Sequence, residues 1–471
     1  MMTERVRSWR DPAGFVYEEF GRVYRAVAPA EVAQLRTLLE SSWYQALVEE
    51  GTIPRATWIT AGPPGFADAG SFVWLEHEVL AFPCYPHEIT ALQLYDAAAL
   101  TLRLARTALA HGWQLKDGSA WNVLFNNGKP VFCDILSFEP ASVSGIWNAY
   151  AQFCRHFVIP LLLYRELRFE PAKLFLLYRD GVPPEKAGPM LSGLSALRRP
   201  ALETVTLPRF FVKQGRAALT HQAPTHQSSP ALAQFLLERT FKRLQRHIEA
   251  VKPDTRHMRS VWRNYETSRD HYVDADIDVK HAFIASALEA SPGASVLDLG
   301  CNAGEFSKLA AAMGNRVVAV DFDDGALSLL YAALRQHPAD ITPVLLDIGR
   351  PTPAVGWMNR EIRSFLDRAQ GKFEVVMALG LMHHLLVTER VSLEQILQMF
   401  LALGAPTLVI EWIEPQDLRF GELCGTARLA PTALNATVFE SVFSPHYQLI
   451  RKRTLPVCRE RTLYHWRRRA E

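Results

Sequence analysis

The sequence predicts a doubly wound α/β sheet with an antiparallel edge in the second half of the chain, preceded by a separate α+β domain. Three observations lead there. After about residue 290, short runs rich in Val, Ile and Leu alternate with helix-like segments. Two more strand-like runs close the chain. A polar, proline-bearing stretch, THQAPTHQSSP at 220–230, separates this alternation from what precedes it.

A chain of 471 residues is long for one hydrophobic core, so two domains are expected. The boundaries read as an accessory domain over 1–219, a linker with a connecting helix over 220–252, and an α/β domain over 253–471. The helix, which would connect the halves or cap the second domain, is ALAQFLLERTFKRLQRHIEAV, in which Leu232, Phe235, Leu236, Leu244, Ile248 and Val251 fall near helical spacing. A net charge of +2 gives no footprint for a nucleic-acid partner. Six cysteines without a CxxC pair fit reduced thiols, so neither a disulfide framework nor a metal site is expected from them. The first residues lack the apolar core of a signal peptide, and the run FVIPLLLY at 157–164 is too short to span a bilayer. The expectation is a cytoplasmic protein with no membrane span.

Taken in order, the strands of the second half are SVLDLG, RVVAVDF, TPVLLDI, FEVVMAL and TLVIEWI, apolar throughout as buried parallel strands are. The helices between them are EFSKLAAAMG, ALSLLYAALRQH, REIRSFLDRAQG and LEQILQMFLALG, several ending at Gly. YQLIRKR and RTLYHWR then add an antiparallel pair at the edge. In an open parallel sheet, ligands bind beyond the carboxyl ends of the strands. VLDLGCNAGEFS is such a strand end, turning through Gly300 and Gly304, where a side chain would block close approach of backbone to ligand. Asp298 lies just before the turn. Asp321 ends the next strand, where a carboxylate can accept both hydroxyls of a ribose. Asn302 stands where a nicotinamide fingerprint needs its middle glycine, so a cofactor without a pyrophosphate fits better.

These residues resemble the class I S-adenosylmethionine-dependent methyltransferases, whose Rossmann-like sheet would cover about residues 260–471. VLDLGCNAG looks like their glycine loop, AVDFD like their ribose-binding acid, LLDI like their adenine contact, and ALGLMHHL like the segment after the fourth strand. The resemblance implies that Asp298 and the Gly300 backbone orient the methionine moiety, Asp321 binds the ribose, and Asp347 and Ile348 hold the adenine of S-adenosyl-L-methionine. Asn302, Gly304, Phe322 and Ala378 complete the cofactor set. His383, His384 and Glu411 are the catalytic candidates on the acceptor side, with Glu411 read as ending the fifth strand, where a surface acid is the plainer alternative. No metal is expected there.

The first half carries LKDGSAWNVLFNNGKPVFCD at 115–134, after a long amphipathic helix that ends at Gly112. Asp117 and Asn122 have the D-x-x-x-x-N spacing of a kinase catalytic loop, and Asn-Gly between two apolar runs signals a hairpin, followed by Asp134. This order resembles the C-terminal lobe of protein kinases and related small-molecule kinases over about 45 residues. The resemblance implies a substrate-proton acceptor in Asp117, magnesium ligands in Asn122 and Asp134, and Mg-ATP as a second cofactor. Against it, LKD replaces H-R-D, DIL replaces D-F-G, no glycine-rich loop precedes, and EFGRVYRAV has Arg where a strand lysine belongs. Together the halves look like bacterial methyltransferases related to a rhizobial nodulation protein. The expected function is methylation of a small-molecule or glycan acceptor, at oxygen or nitrogen, with a kinase-like accessory domain. The alternatives are a bifunctional enzyme with an ATP-dependent phosphotransferase in its first half, and a non-catalytic binding protein that keeps the cofactor fold.

Overall fold

A computed structural model describes residues 6–8, 11–63, 66, 69–142, 144–213, 229–254, 273–427 and 434–470. The chain divides into two compact units, Met1–Asp254 with Ala354–Ile362, and Thr255–Pro353 with Arg363–Glu471.

The first unit opens with an antiparallel sheet of five strands in the order β1-β2-β3-β5-β4. These are Val6–Arg7 (β1), Gly14–Glu19 (β2), Arg22–Val27 (β3), Ala56–Ile59 (β4) and Val73–His77 (β5). Period-two alternation puts Phe15 and Tyr17 of β2 and Tyr24 and Ala26 of β3 into one aromatic core with Trp74 of β5. Two helices, Val32–Glu40 and Ser42–Glu49, lie between β3 and β4 in the chain.

The long helix Ala91–Ala110 starts at a capping box, in which the Thr90 side chain accepts the Gln93 N–H and the Gln93 side chain accepts the Thr90 N–H. It is amphipathic as expected: Asp96, Ala99, Arg103, Arg106, Thr107 and Ala110 make one outward stripe at helical spacing, and the rest of the helix is buried. Beyond it, Trp113–Leu115 (β6) pairs with Phe138–Pro140 (β9), and between them Val123–Asn126 (β7) and Lys129–Phe132 (β8) form the expected hairpin. Asn127 and Gly128 both take positive φ, 49° and 68°, as a two-residue turn of that twist requires.

The helix Pro230–Ala250 is not a free connector. It packs against Ala91–Ala110, where the Tyr95 hydroxyl donates to Glu249 at 2.5 Å, and its Phe241 stacks edge-on against Trp147. Helical spacing cannot distinguish a connector from a helix whose apolar stripe is covered by its own domain. Residues 220–228 of the expected linker lie outside the described residues.

The second unit is a seven-stranded sheet in the order β12-β11-β10-β13-β14-β16-β15. Its strands are Ser295–Leu299 (β10), Arg316–Asp321 (β11), Ile341–Leu345 (β12), Val375–Ala378 (β13), Thr407–Ile413 (β14), Tyr447–Thr454 (β15) and Arg461–Arg468 (β16). The five from β10 to β14 run parallel, and β16 returns antiparallel against both β14 and β15. The chain builds outward from β10 through β11 to β12, then crosses back to β13 on the other side of β10. The order therefore reverses between β10 and β13, and the crevice beyond their carboxyl ends is where such a sheet holds a ligand. Among the described residues no helix is long and apolar enough to cross a membrane.

Candidate functional site

The glycine turn leaves β10 at that switch point. Gly300 (φ 78°), Asn302 (φ 52°) and Gly304 (φ 80°) all take left-handed backbone, which curls the chain back before the helix Glu305–Ala312 begins. A Cβ on Gly304 would stand 2.6 Å from Leu330 Cδ1, so any other residue there would have to push the Leu330 side chain aside as well as adopt left-handed backbone. A Cβ on Gly300 would meet nothing nearer than Leu381 at 3.7 Å, across the gap between β10 and β13.

Two carboxylates flank this turn. Asp298 is buried in β10 and accepts a 2.6 Å hydrogen bond from the Ser307 hydroxyl. Asp321, at the end of β11, accepts the Asn302 N–H at 2.8 Å on one oxygen and the Asp323 N–H at 2.9 Å on the other. Burial pushes each carboxyl up to about 6, and their mutual repulsion adds to the rise for Asp298. Neither forms an ion pair among the described residues. Each oxygen of Asp321 keeps a second lone pair, so the pair suits a ligand bringing hydroxyls and positive charge. Asp323 caps the next helix, accepting the N–H groups of Gly325 and Ala326. Burial also raises the Cys301 thiol far above its ordinary range, as befits a packing residue.

The remaining cofactor candidates ring the same sheet edge. Phe322 follows Asp321 with its ring 56% exposed. Asp347 follows β12, accepts the Gly349 N–H at 2.9 Å and meets Arg350, while Ile348 beside it is buried. Ala378 ends β13 in register with Leu299 and is fully buried, so only its backbone can face a ligand.

On the acceptor side, His383 and His384 stand side by side after β13, ring centroids 4.3 Å apart, where the chain makes a single π-helical turn over His384–Thr388. Such turns are frequent at functional sites. Burial holds His383 down at about 3, with His384 and Arg461 adding to the effect and Asp417 opposing it. Its Nδ1 is sealed from solvent without a hydrogen-bond partner among the described residues, and its ring stacks near Phe420. His384 is lowered by burial too.

Glu411 does not end β14 and is not a surface acid. It lies inside the strand, fully buried, and accepts from Lys280 Nζ at 2.9 Å. A strand end and a strand middle look alike in an unbroken apolar run, and the partner comes from a helix 131 residues away. Sequence reasoning also missed Asp417 and Arg461, which form a buried two-point pair at 2.8 and 3.1 Å beside His383. Asp417 directly precedes the helix Leu418–Ala427, and Asp just before a helix is a legible capping signal. Arg461 gives no such signal.

In the first unit, Asp117, Asn122 and Asp134 are brought together. Cys133 donates its N–H to the Asn122 carbonyl at 2.8 Å, and Asp117 lies close enough to help raise the Asp134 carboxyl, whose burial is the larger cause.

A glycine turn at the switch point, an acid ending the second strand and an antiparallel seventh strand define the Rossmann-like methyltransferase fold. Residues 269–469 match the family described as a methyltransferase domain. Over its whole length the chain is similar to the nodulation protein NoeA of Rhizobium meliloti (strain 1021), 26% identical over 465 residues, covering 98% of this chain and 95% of that protein. Among solved structures, the N-methyltransferase NodS from Bradyrhizobium japonicum WM9 is 15% identical with a TM-score of 0.31, covering 42% of this chain and 98% of its own. The bifunctional kinase-methyltransferase WbdD is also 15% identical with a TM-score of 0.31, covering 44% of this chain and 42% of its own.

Proposed function

We propose that the second unit transfers the methyl group of S-adenosyl-L-methionine to an oxygen or nitrogen of a small-molecule or glycan acceptor. The observation that carries this is the Asp298–Asp321 pair around the glycine turn, two buried carboxylates without cationic partners among the described residues, at the switch point of a methyltransferase domain. In this reading Asp298 and the Gly300 backbone face the methionine end. Asp321 accepts the ribose hydroxyls, the Phe322 ring covers the adenine, and Asp347 and Ile348 hold its edge. The sulfonium of the cofactor supplies the activated methyl, which leaves positioning of the acceptor as the main task of the protein. His383 and His384 take that task. The neutral imidazole of His383 offers a hydrogen bond to the acceptor's N–H or O–H, and the Asp417–Arg461 pair keeps charged groups beside it fixed.

The first unit serves as an accessory domain in this proposal. The likeness to a nodulation protein along nearly the whole chain supports one task shared by both units, and supports a specialised metabolite or glycan as the acceptor.

The test uses the full chain with methyl-labelled cofactor and a fractionated extract of small molecules and glycans. S-adenosylhomocysteine should form together with a labelled product, and both should vanish in Asp321→Ala. Tight cofactor binding with no turnover on any fraction would instead favour a non-catalytic binding protein.

A further inference from the structure

The kinase resemblance assigns Asp134 and Asn122 to magnesium, but the structure gives Asp134 a different cation. Arg25 of β3 reaches across the first unit. Its Nη1 donates to Asp134 Oδ1 at 3.1 Å, its Nη2 to the Cys133 carbonyl at 3.1 Å, and its Nε to His77 Nε2 at 3.3 Å. All three directions of the guanidinium are engaged, and the side chain is 7% exposed. His77 is matched to this role, since burial and the neighbouring guanidinium hold it down at about 3, leaving a neutral ring nitrogen to accept. A divalent ion on Asp134 would have to displace this fork or sit against its charge.

Two further features point the same way. The turn between β2 and β3 is only Phe20 and Gly21, too short to wrap a triphosphate in backbone N–H groups. The carboxylates of Asp11 and Asp117 also lie near Asp134, with Lys116 as the other cation there, a setting that repels a metal-free triphosphate.

We infer that the guanidinium of Arg25 is a built-in cation standing where a phosphotransferase would carry its metal, and that the first unit is closed to metal–nucleotide chemistry. The loop at 115–134 is then scaffold, held by the Arg25–Asp134 pair. This inference stands apart from the methyl-transfer reading and survives if that reading fails.

The experiment titrates Mg-ATP and Mn-ATP into the full chain by calorimetry, and follows thermal unfolding of Arg25→Met, Asp134→Asn and the double variant. Wild type should give no binding heat with either nucleotide. The loss of Tm in the double variant should be smaller than the sum of the single losses, because removing both charges strands neither. Arg25→Lys, which keeps the charge and loses the fork, replaces Arg25→Met if the latter does not fold. Nucleotide binding by wild type that Asp134→Asn abolishes would overturn the inference, and so would additive losses of Tm.

Discussion

Asp321 and Asn302 join the second strand of the methyltransferase sheet to the cofactor turn: the carboxylate of the one accepts the backbone N–H of the other at 2.8 Å. Asn302 is left-handed, a backbone that Asn tolerates better than most side chains, and the bond holds it there. One residue thus shapes the loop and, in the proposed function, binds the ribose. Asp321→Ala should remove both roles. With charge-assisted hydrogen bonds worth roughly 1.5–3 kcal/mol each, affinity for S-adenosylhomocysteine should fall about ten- to a hundred-fold or more by calorimetry. An unchanged affinity would remove Asp321 from the cofactor site.

The raised carboxyls set a pH dependence. Asp298 and Asp321 titrate near 6 when folded, above the ordinary 3.8, so between those values the ligand-free fold binds more protons than the unfolded chain. Their contribution to stability is complete below about pH 4 and is lost as pH rises through 6. Cofactor affinity runs the other way, because ribose hydroxyls and a cationic ligand favour the ionised forms. Binding of S-adenosylhomocysteine should tighten from pH 5 to 7 and release protons. Calorimetry in buffers of different ionisation enthalpy would count them, and proton uptake would refute the assignment.

His383→Ala should lower kcat by about a hundred-fold or more, in the range of a lost proton-handling group, while leaving affinity for S-adenosylhomocysteine intact. Since wild-type His383 is held neutral down to about pH 3, the rate profile should show no limb from it between pH 5 and 8. A variant that loses cofactor affinity in proportion to rate would place His383 in the fold instead of at the acceptor.

Gly304→Ala combines a left-handed backbone with a clash against Leu330. The backbone alone costs about 1–2 kcal/mol, and the clash adds to it. Tm should drop, and the double variant Gly304→Ala/Leu330→Ala should recover none of the backbone share. Full recovery would mean that space alone dictates the glycine.

Lys280→Met should destabilise the second unit by about 3–5 kcal/mol, because it takes the ammonium away from the fully buried Glu411 carboxylate. Lys280→Met/Glu411→Leu should be markedly more stable than either single variant in denaturant titrations. If Glu411→Gln instead abolished turnover without loss of stability, Glu411 would belong to the chemistry and not to the fold.

The sequence by itself determined the parallel strands, the antiparallel closing pair, the glycine turn and the acids at strand ends. Each of these rests on local chemistry: an apolar run fits a strand covered on both faces, and a left-handed turn selects Gly or Asn whatever lies beyond it. The Asn-Gly hairpin of the first unit was legible for the same reason. Tertiary structure alone decided the rest. Arg25 meets Asp134 across 109 residues, Lys280 meets Glu411 across 131, and Arg461 meets Asp417 across 44. A charge in a strand looks the same in sequence whether it faces water or a partner. Only the packing of distant elements selects the partner, and with it whether Asp134 could hold a metal and whether Glu411 is a surface acid or a buried pair. The helix Pro230–Ala250 was readable as a helix, but packing chose its buried face: Leu244 and Ile248 are covered together with Ala233, Leu237 and Phe241, while Leu232, Phe235 and Leu236 of the expected stripe are exposed.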